Sequence, residues 1–247
     1  MKKALVLYTH GLGDVIQLTP HLRQLYADGY VVDLMCRAEV RTSHLLDDCP
    51  YVGELIDTPN PWAGDYQGLM IANSNNFIHK GAKYDWMGCS LHTSHQNGEH
   101  KIDMTSRELG LTLSDKTPEV YLGDETEVLE YIEREYPNGY IFNHTQIEFH
   151  VEHCWDSSEW IRENLPELPV VNTGKDGAHY RRWDNINKTF TLLRNATHRV
   201  ISSSVMLHAC DAMGLKVDVA NYGNNDQKMN PVNDIIIKRR ECGQWKK

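Results

Sequence analysis

Apolar runs and amphipathic stretches alternate along this 247-residue chain. "ALVLY", within residues 3–8, is continuously apolar, as in a strand covered on both faces, and predicts a first strand. An amphipathic stretch at 14–28 predicts a helix, and "YVVDLMC" (30–36) a second strand. "SHLLDDCPYVGELIDT" reads as a short helix, a turn and a third strand at 52–57. Residues 60–100, rich in Asn, Gly, His and Trp, hold no period and predict long loops. "DMTSRELGL" (103–111) predicts a helix ended by Gly110, and "TPEVYL" (117–122) a strand. "DETEVLEYIEREYPNG" predicts an acidic helix with an inward aromatic side, stopping at Pro137 and Gly139.

The pattern then restarts. "GYIFNH" reads as a strand, "SSEWIRENL" as a helix opened by a Ser cap, and "LPVVNTG" as a strand. "NKTFTLLRNA" is a helix, "HRVISSS" a strand, "SVMLHACDAMGL" a helix and "KVDVANYG" a strand. Helices between apolar strands predict an α/β protein with parallel sheets, arranged as two Rossmann-like domains over 1–125 and 126–247.

Composition adds limits. No apolar run approaches the roughly 18 residues of a membrane-spanning helix, and the N-terminus lacks the long apolar region of a signal peptide. Six cysteines are scattered with no CxxC pair. A cytoplasmic setting is the expectation. The net charge is −9, of which −7 lies in residues 1–125, against a broad nucleic-acid surface.

Two stretches carry candidate chemistry. In "THGLGDVIQLTPHLRQL" (9–25), Gly11 and Gly13 follow the first strand and open a helix, where free amides and the helix dipole favour an anion. The third glycine of a dinucleotide fingerprint would fall at Ile16, and no acid clearly ends the second strand, although Asp33 lies within it. Asp14 reads either as a carboxylate complementing the helix dipole or as a reactive group. In "VISSSVMLHACDAMGLKVDVANYG" (200–223), Ser202, Ser203 and Ser204 bring hydroxyls to a helix start with His208 one turn in. That suits a phosphate or diphosphate; the plainer alternative is a Ser-capped helix carrying an ordinary histidine.

Together the two stretches resemble the signature regions of the lipopolysaccharide heptosyltransferase family. The first matches a Gly-x-Gly-Asp turn, a Thr-Pro pair and a Leu-Arg-x-Leu helix at Gly11, Gly13, Asp14, Thr19, Pro20, Leu22, Arg23 and Leu25. The second matches Asp-Ser-Gly-x-x-His followed by Gly at Ser204, His208 and Gly214, with Ser203 in place of the Asp and Val205 in place of the Gly. "ELGLTLSDKTPEVYL" resembles the end of the family's first domain, and "HYRRWDN" (179–185) resembles a Lys-Arg-Trp-Pro-like segment that normally comes earlier.

The resemblance implies the GT-B fold, two Rossmann-like domains facing each other across a cleft. It implies transfer of a sugar from a nucleotide-diphosphate sugar to an acceptor hydroxyl, with Asp14 as general base. Gly11, Gly13, Ser202, Ser203, Ser204, His208, Lys188 and Arg181 would hold the donor, Lys175 could add positive charge, and His10, Gln17 and Trp62 would face the acceptor. No metal and no cofactor beyond the donor are expected. Family members are usually longer, and Ser203 in place of the Asp points to a donor other than heptose. Compactness and divergence suggest a viral or mobile-element origin, with a host-cytoplasm setting in that case. The acceptor is then a saccharide or lipid-linked sugar, or a hydroxymethylated DNA base. A non-catalytic nucleotide- or sugar-binding module is the other reading. Oligomeric state is left open.

Cys89, His92, His95 and His100, with His150, His153 and Cys154, match no standard zinc spacing and read as polar loops. Trp86 and Trp155, like Trp62, lie near those loops, where a ring stacks on a sugar or a base or simply packs.

Overall fold

A computed structural model describes residues 2–58, 78–79, 82–90, 99–147, 154–175, 177–179 and 182–221. Two compact units divide the chain between Glu119 and Val120. No described helix is long and apolar enough to cross a membrane.

In the first unit, β1 (Lys2–Tyr8), α1 (Leu12–Ala27), β2 (Tyr30–Cys36), α2 (Ala38–Thr42) and β3 (Val52–Asp57) follow the expected order. β4 (Ile78–His79) and β5 (Ala82–Lys83) form a small antiparallel pair, and β6 (Trp86–Ser90) and α3 (Lys101–Leu109) complete the unit. The main sheet has the order β3-β2-β1-β6, and its ladders are parallel. β1 lies inside the sheet and is buried from Ala4 to Tyr8, which explains its unbroken apolar run. Leu5, Leu7, Met35, Ile56 and Tyr84 form a core cluster on this sheet.

The second unit holds α4 (Thr126–Glu135), β7 (Ile141–His144), α5 (Ser158–Asn164), β8 (Val170–Asn172), α6 (Ile186–Asn195), β9 (His198–Ser202), α7 (Val205–Ala212) and β10 (Val219–Asn221). Its sheet has the order β10-β9-β7-β8, again parallel. Ile141, Trp155, Trp160, Ile161 and Val200 pack as its core cluster. Both units are therefore Rossmann-like, and the α/β reading holds.

Four local expectations change. The short helix expected in "SHLLDDC" is a run of turns over 43–48, and α2 lies just before it at Ala38–Thr42. β6 lies where loops were expected. Its Gly88 looks like a breaker, yet a Cβ there would stand 2.2 Å from the Trp86 ring and 2.9 Å from Leu109, so side chains occupy that space. Residues 117–122 join no ladder. Pro118 has no N–H to give, and the Glu119 N–H donates to Thr19 Oγ1 at 2.7 Å. Ser157 is the N-cap of α5 by position, but its hydroxyl donates to Asn143 Oδ1 at 3.0 Å, and Asp156 Oδ1 accepts from the Ser158 N–H instead.

α1 contains Pro20, which removes the N–H that would reach Ile16 O. Thr19 Oγ1 donates to that same carbonyl at 2.7 Å. The Thr-Pro pair thus repairs its own gap, and the Thr19 hydroxyl also accepts from Glu119. Arg23, one turn on, reaches Glu119 at 2.5 Å and Asp115 at 3.0 Å. Glu119 ends the first unit, and Glu125, which precedes α4, pairs with Arg194 at 2.6 Å and accepts from Thr191 at 2.9 Å. Gly123, between them, has φ 62°, a conformation that favours glycine.

Candidate functional site

Each sheet has one place where the chain order reverses. β1 connects through α1 to β2 on one side, while β6 lies on the other; β7 connects to β8 on one side, with β9 on the other. In open parallel sheets the crevice at such a point, beyond the carboxyl ends of the strands, is where ligands bind. The two singled-out stretches sit at these points.

At the first, Gly11 is the N-cap of α1 in extended conformation (φ −69°, ψ 171°), and no side chain caps the helix. A Cβ on Gly11 would meet nothing within 4 Å, so the turn has open space beside it. Gly13 and Asp14 are the second and third helical residues. Asp14 is the acidic residue of the first turn, where the helix dipole favours it. Its Oδ1 accepts from Lys101 Nζ at 2.5 Å, with the two side chains 18% and 21% exposed. Lys101 opens α3, whose N-cap His100 accepts the Ile102 N–H on Nδ1 at 3.2 Å. Sequence reasoning missed Lys101, because nothing in its neighbourhood marks a partner 87 residues away.

Tyr8 ends β1 and donates its hydroxyl to Asp14 O at 3.2 Å. Burial, then the Asp14 charge, pushes its phenol well up, so it stays protonated. His10 packs edge-on against Tyr8 at 4.9 Å. Burial lowers its pKa against the opposing pull of Asp14, leaving a neutral imidazole. Ser90, paired with Tyr8 in the β1–β6 ladder, donates to Glu108 Oε2 at 2.7 Å. Gln17 is 3% exposed, and its Oε1 is buried without a hydrogen-bond partner among the described residues. His10, Gly11, Gly13, Asp14 and Gln17 therefore gather at one strand-to-helix turn. Trp62 lies outside the described residues. Asp33 is spent in the core, accepting from Tyr84 at 2.9 Å and Lys3 at 3.2 Å.

At the second point, β9 ends at Ser202 and α7 begins after Ser204. Ser202 is fully buried and donates to Thr145 O at 3.1 Å, stitching β9 to the end of β7. Ser204 is the extended N-cap, but its hydroxyl makes no cap bond and its Oγ is buried without a partner among the described residues. Ser203 is 7% exposed, and His208 stands one turn into α7. Gly214 ends that turn with φ 64°, so its place after His208 is fixed by helix termination. Sequence reasoning missed His144, Thr145 and Thr173. These lie at the same carboxyl ends, with His144 Nδ1 3.0 Å from Thr173 Oγ1 and Thr145 bonded to Asn143 and Ser157. The strand-end rule was the signal that could have found them.

Lys188 is on α6, where it pairs with Glu127 of α4; Glu127 also accepts from Trp183 Nε1 at 3.1 Å. Lys188 is thus committed to an ion pair with Glu127. Arg181 lies outside the described residues; Lys175, exposed, donates its N–H to Gln146 O. Among the described residues no group of three or more His, Cys, Asp or Glu could hold a metal. His100 Nδ1 is occupied by its cap, and burial pushes the Cys89 thiol up to about 12. Cys154 Sγ accepts from the Ile147 N–H, while His92, His95, His150 and His153 fall outside the described residues.

No protein-family model matches the sequence, and a search of curated proteins finds no relative. Solved structures do match. A family 9 glycosyltransferase from Veillonella parvula superposes with a TM-score of 0.64 at 15% identity, covering 96% of this chain and 87% of that one. Escherichia coli ADP-heptose lipopolysaccharide heptosyltransferase II gives 0.59 at 13% identity, covering 96% and 90%. Escherichia coli heptosyltransferase WaaC with ADP gives 0.58 at 11%, covering 92% and 89%. In fold, the chain resembles this family 9 glycosyltransferase and these heptosyltransferases, and is built of two Rossmann-like units.

Proposed function

We propose that this protein is a glycosyltransferase that moves a sugar from a nucleotide-diphosphate sugar to an acceptor hydroxyl. The observation that carries the reading is the pair of switch points, one holding a carboxylate beside a neutral imidazole, the other a hydroxyl-rich helix start. Asp14 accepts the proton of the acceptor hydroxyl as that oxygen bonds to the anomeric carbon. The bond from that carbon to the donor's diphosphate oxygen breaks, and the nucleoside diphosphate leaves with the electron pair. The α7 amides, the hydroxyls of Ser203 and Ser204, and His208 meet its charge. Gly11 and Gly13 leave space at the turn, and His10 and Gln17 serve the acceptor side. Ser202 shapes the donor turn through Thr145. WaaC is known with ADP and with ADP-2-deoxy-2-fluoro heptose, which supports a nucleotide-diphosphate donor here.

The test is a panel of nucleotide-diphosphate sugars followed by thermal shift and nucleotide release, with saccharide acceptors and hydroxymethylated DNA. Asp14→Asn is expected to lower turnover about 10²–10⁴-fold while the donor-induced thermal shift persists. Donor binding without turnover on any acceptor would make the protein a binding module. Turnover undiminished in Asp14→Asn would remove the base.

A further inference from the structure

We infer that Lys101 is a positioning residue for Asp14, holding the carboxylate ionised and fixed in direction at the β1–α1 turn. This rests on the reading of Asp14 as the base.

Both ends of the pair are mounted on rigid elements. Asp14 is in the first turn of α1 and Lys101 is the first residue of α3. The two helices are fastened by His21, fully buried, whose Nε2 lies 3.1 Å from Ile102 O and 3.0 Å from Ser106 Oγ. The His100 cap fixes the backbone next to Lys101. The ammonium therefore arrives at Asp14 from a prearranged direction, and with both groups only about a fifth exposed, solvent screens the pair less than a surface pair.

The charges around Asp14 give the contact its purpose. Tyr8 of β1, His10 of the turn and Lys101 of α3 act on it directly, and Glu108 of α3 acts on Tyr8, His10 and Cys89. Glu108 acts on Tyr8 and His10 together with Asp14, so two carboxylates share this region. Tyr8 and Cys89 stay protonated and His10 neutral, so none of these three offsets the negative charge. The Lys101 ammonium does. The proton from the acceptor goes to Asp14, whose hold on Lys101 then loosens.

The experiment reads Asp14 directly. In protein labelled with ¹³C at aspartate carboxyls, the Asp14 resonance is identified by its loss in Asp14→Asn and titrated with pH. Lys101→Met is expected to raise its midpoint by about one pH unit, since a close cation lowers a carboxyl pKa by that order. Lys101→Arg is expected to restore it. The acid limb of the pH–rate profile for nucleotide release should move up in the same way. An unmoved midpoint in a Lys101→Met protein with a native amide spectrum overturns the proposal. A midpoint that moves while the rate profile stays put leaves the ion pair standing and removes Asp14 as the base. A raised acceptor KM with both titrations unmoved makes Lys101 an acceptor contact and also overturns it. If Lys101→Met fails to fold, Lys101→Gln carries the same comparison.

Discussion

His21 and His144 are buried neutral bases, each pushed down to about 4, chiefly by burial. In the unfolded chain each takes up a proton near pH 6.5. Between those values the unfolded state holds more protons, so stability is complete above about pH 6.5 and is lost as pH falls toward 4. From pH 7 to pH 5 each histidine should cost about 2 kcal/mol of folding stability. Urea unfolding at the two pH values checks this, and His21→Gln should flatten the dependence. No pH dependence in the wild type would mean that these rings are charged in the native state. Neither histidine was marked by its sequence neighbours, since burial in the folded unit gives them this character against the pull of their hydrogen bonds. The serines and Asp14 were visible because their signal is local: a turn residue next to a helix start.

At the scale of elements, the Thr19–Pro20 pair explains why α1 tolerates an internal proline. Thr19→Val removes the hydroxyl while keeping the shape. It strands Ile16 O and the Glu119 N–H in a fully buried place, and should destabilise the first unit by about 2 kcal/mol. In a Pro20→Ala background the restored N–H reaches Ile16 O, so the same change should cost less; a double-mutant cycle by thermal unfolding measures the difference. Most elements could be read from the order of apolar runs, because parallel strands buried on both faces are continuous. β6 could not: it carries glycine and tryptophan instead of a β-branched run, and the tertiary space beside Gly88 decides its place. Residues 117–122 show the reverse case, a strand-like pattern whose N–H at Glu119 is claimed by a helix side chain.

For the whole molecule, the proposed division of labour gives base and leaving-group grip to different units. ADP or UDP should therefore slow amide exchange at residues 202–208 and at 144–145 and 173, while leaving residues 12–17 unprotected. Hydrogen exchange with and without nucleotide decides it, and protection confined to 12–17 would reverse the assignment. The fold of each unit follows from local pattern, but the Asp14–Lys101 pair depends on chain segments far apart in sequence and emerges only when α1 and α3 pack.

The stretch that follows the first unit is tethered at both ends. Glu119 is clasped by the helix that bears Asp14, and Glu125 is moored to α6 by Arg194 and Thr191. Only residues 120–124 lie between those anchors, and Gly123 is the residue there with a left-handed backbone. Any side chain placed at Gly123 would therefore have to adopt that left-handed backbone, so a Gly123→Val change should loosen the fastening on both flanks.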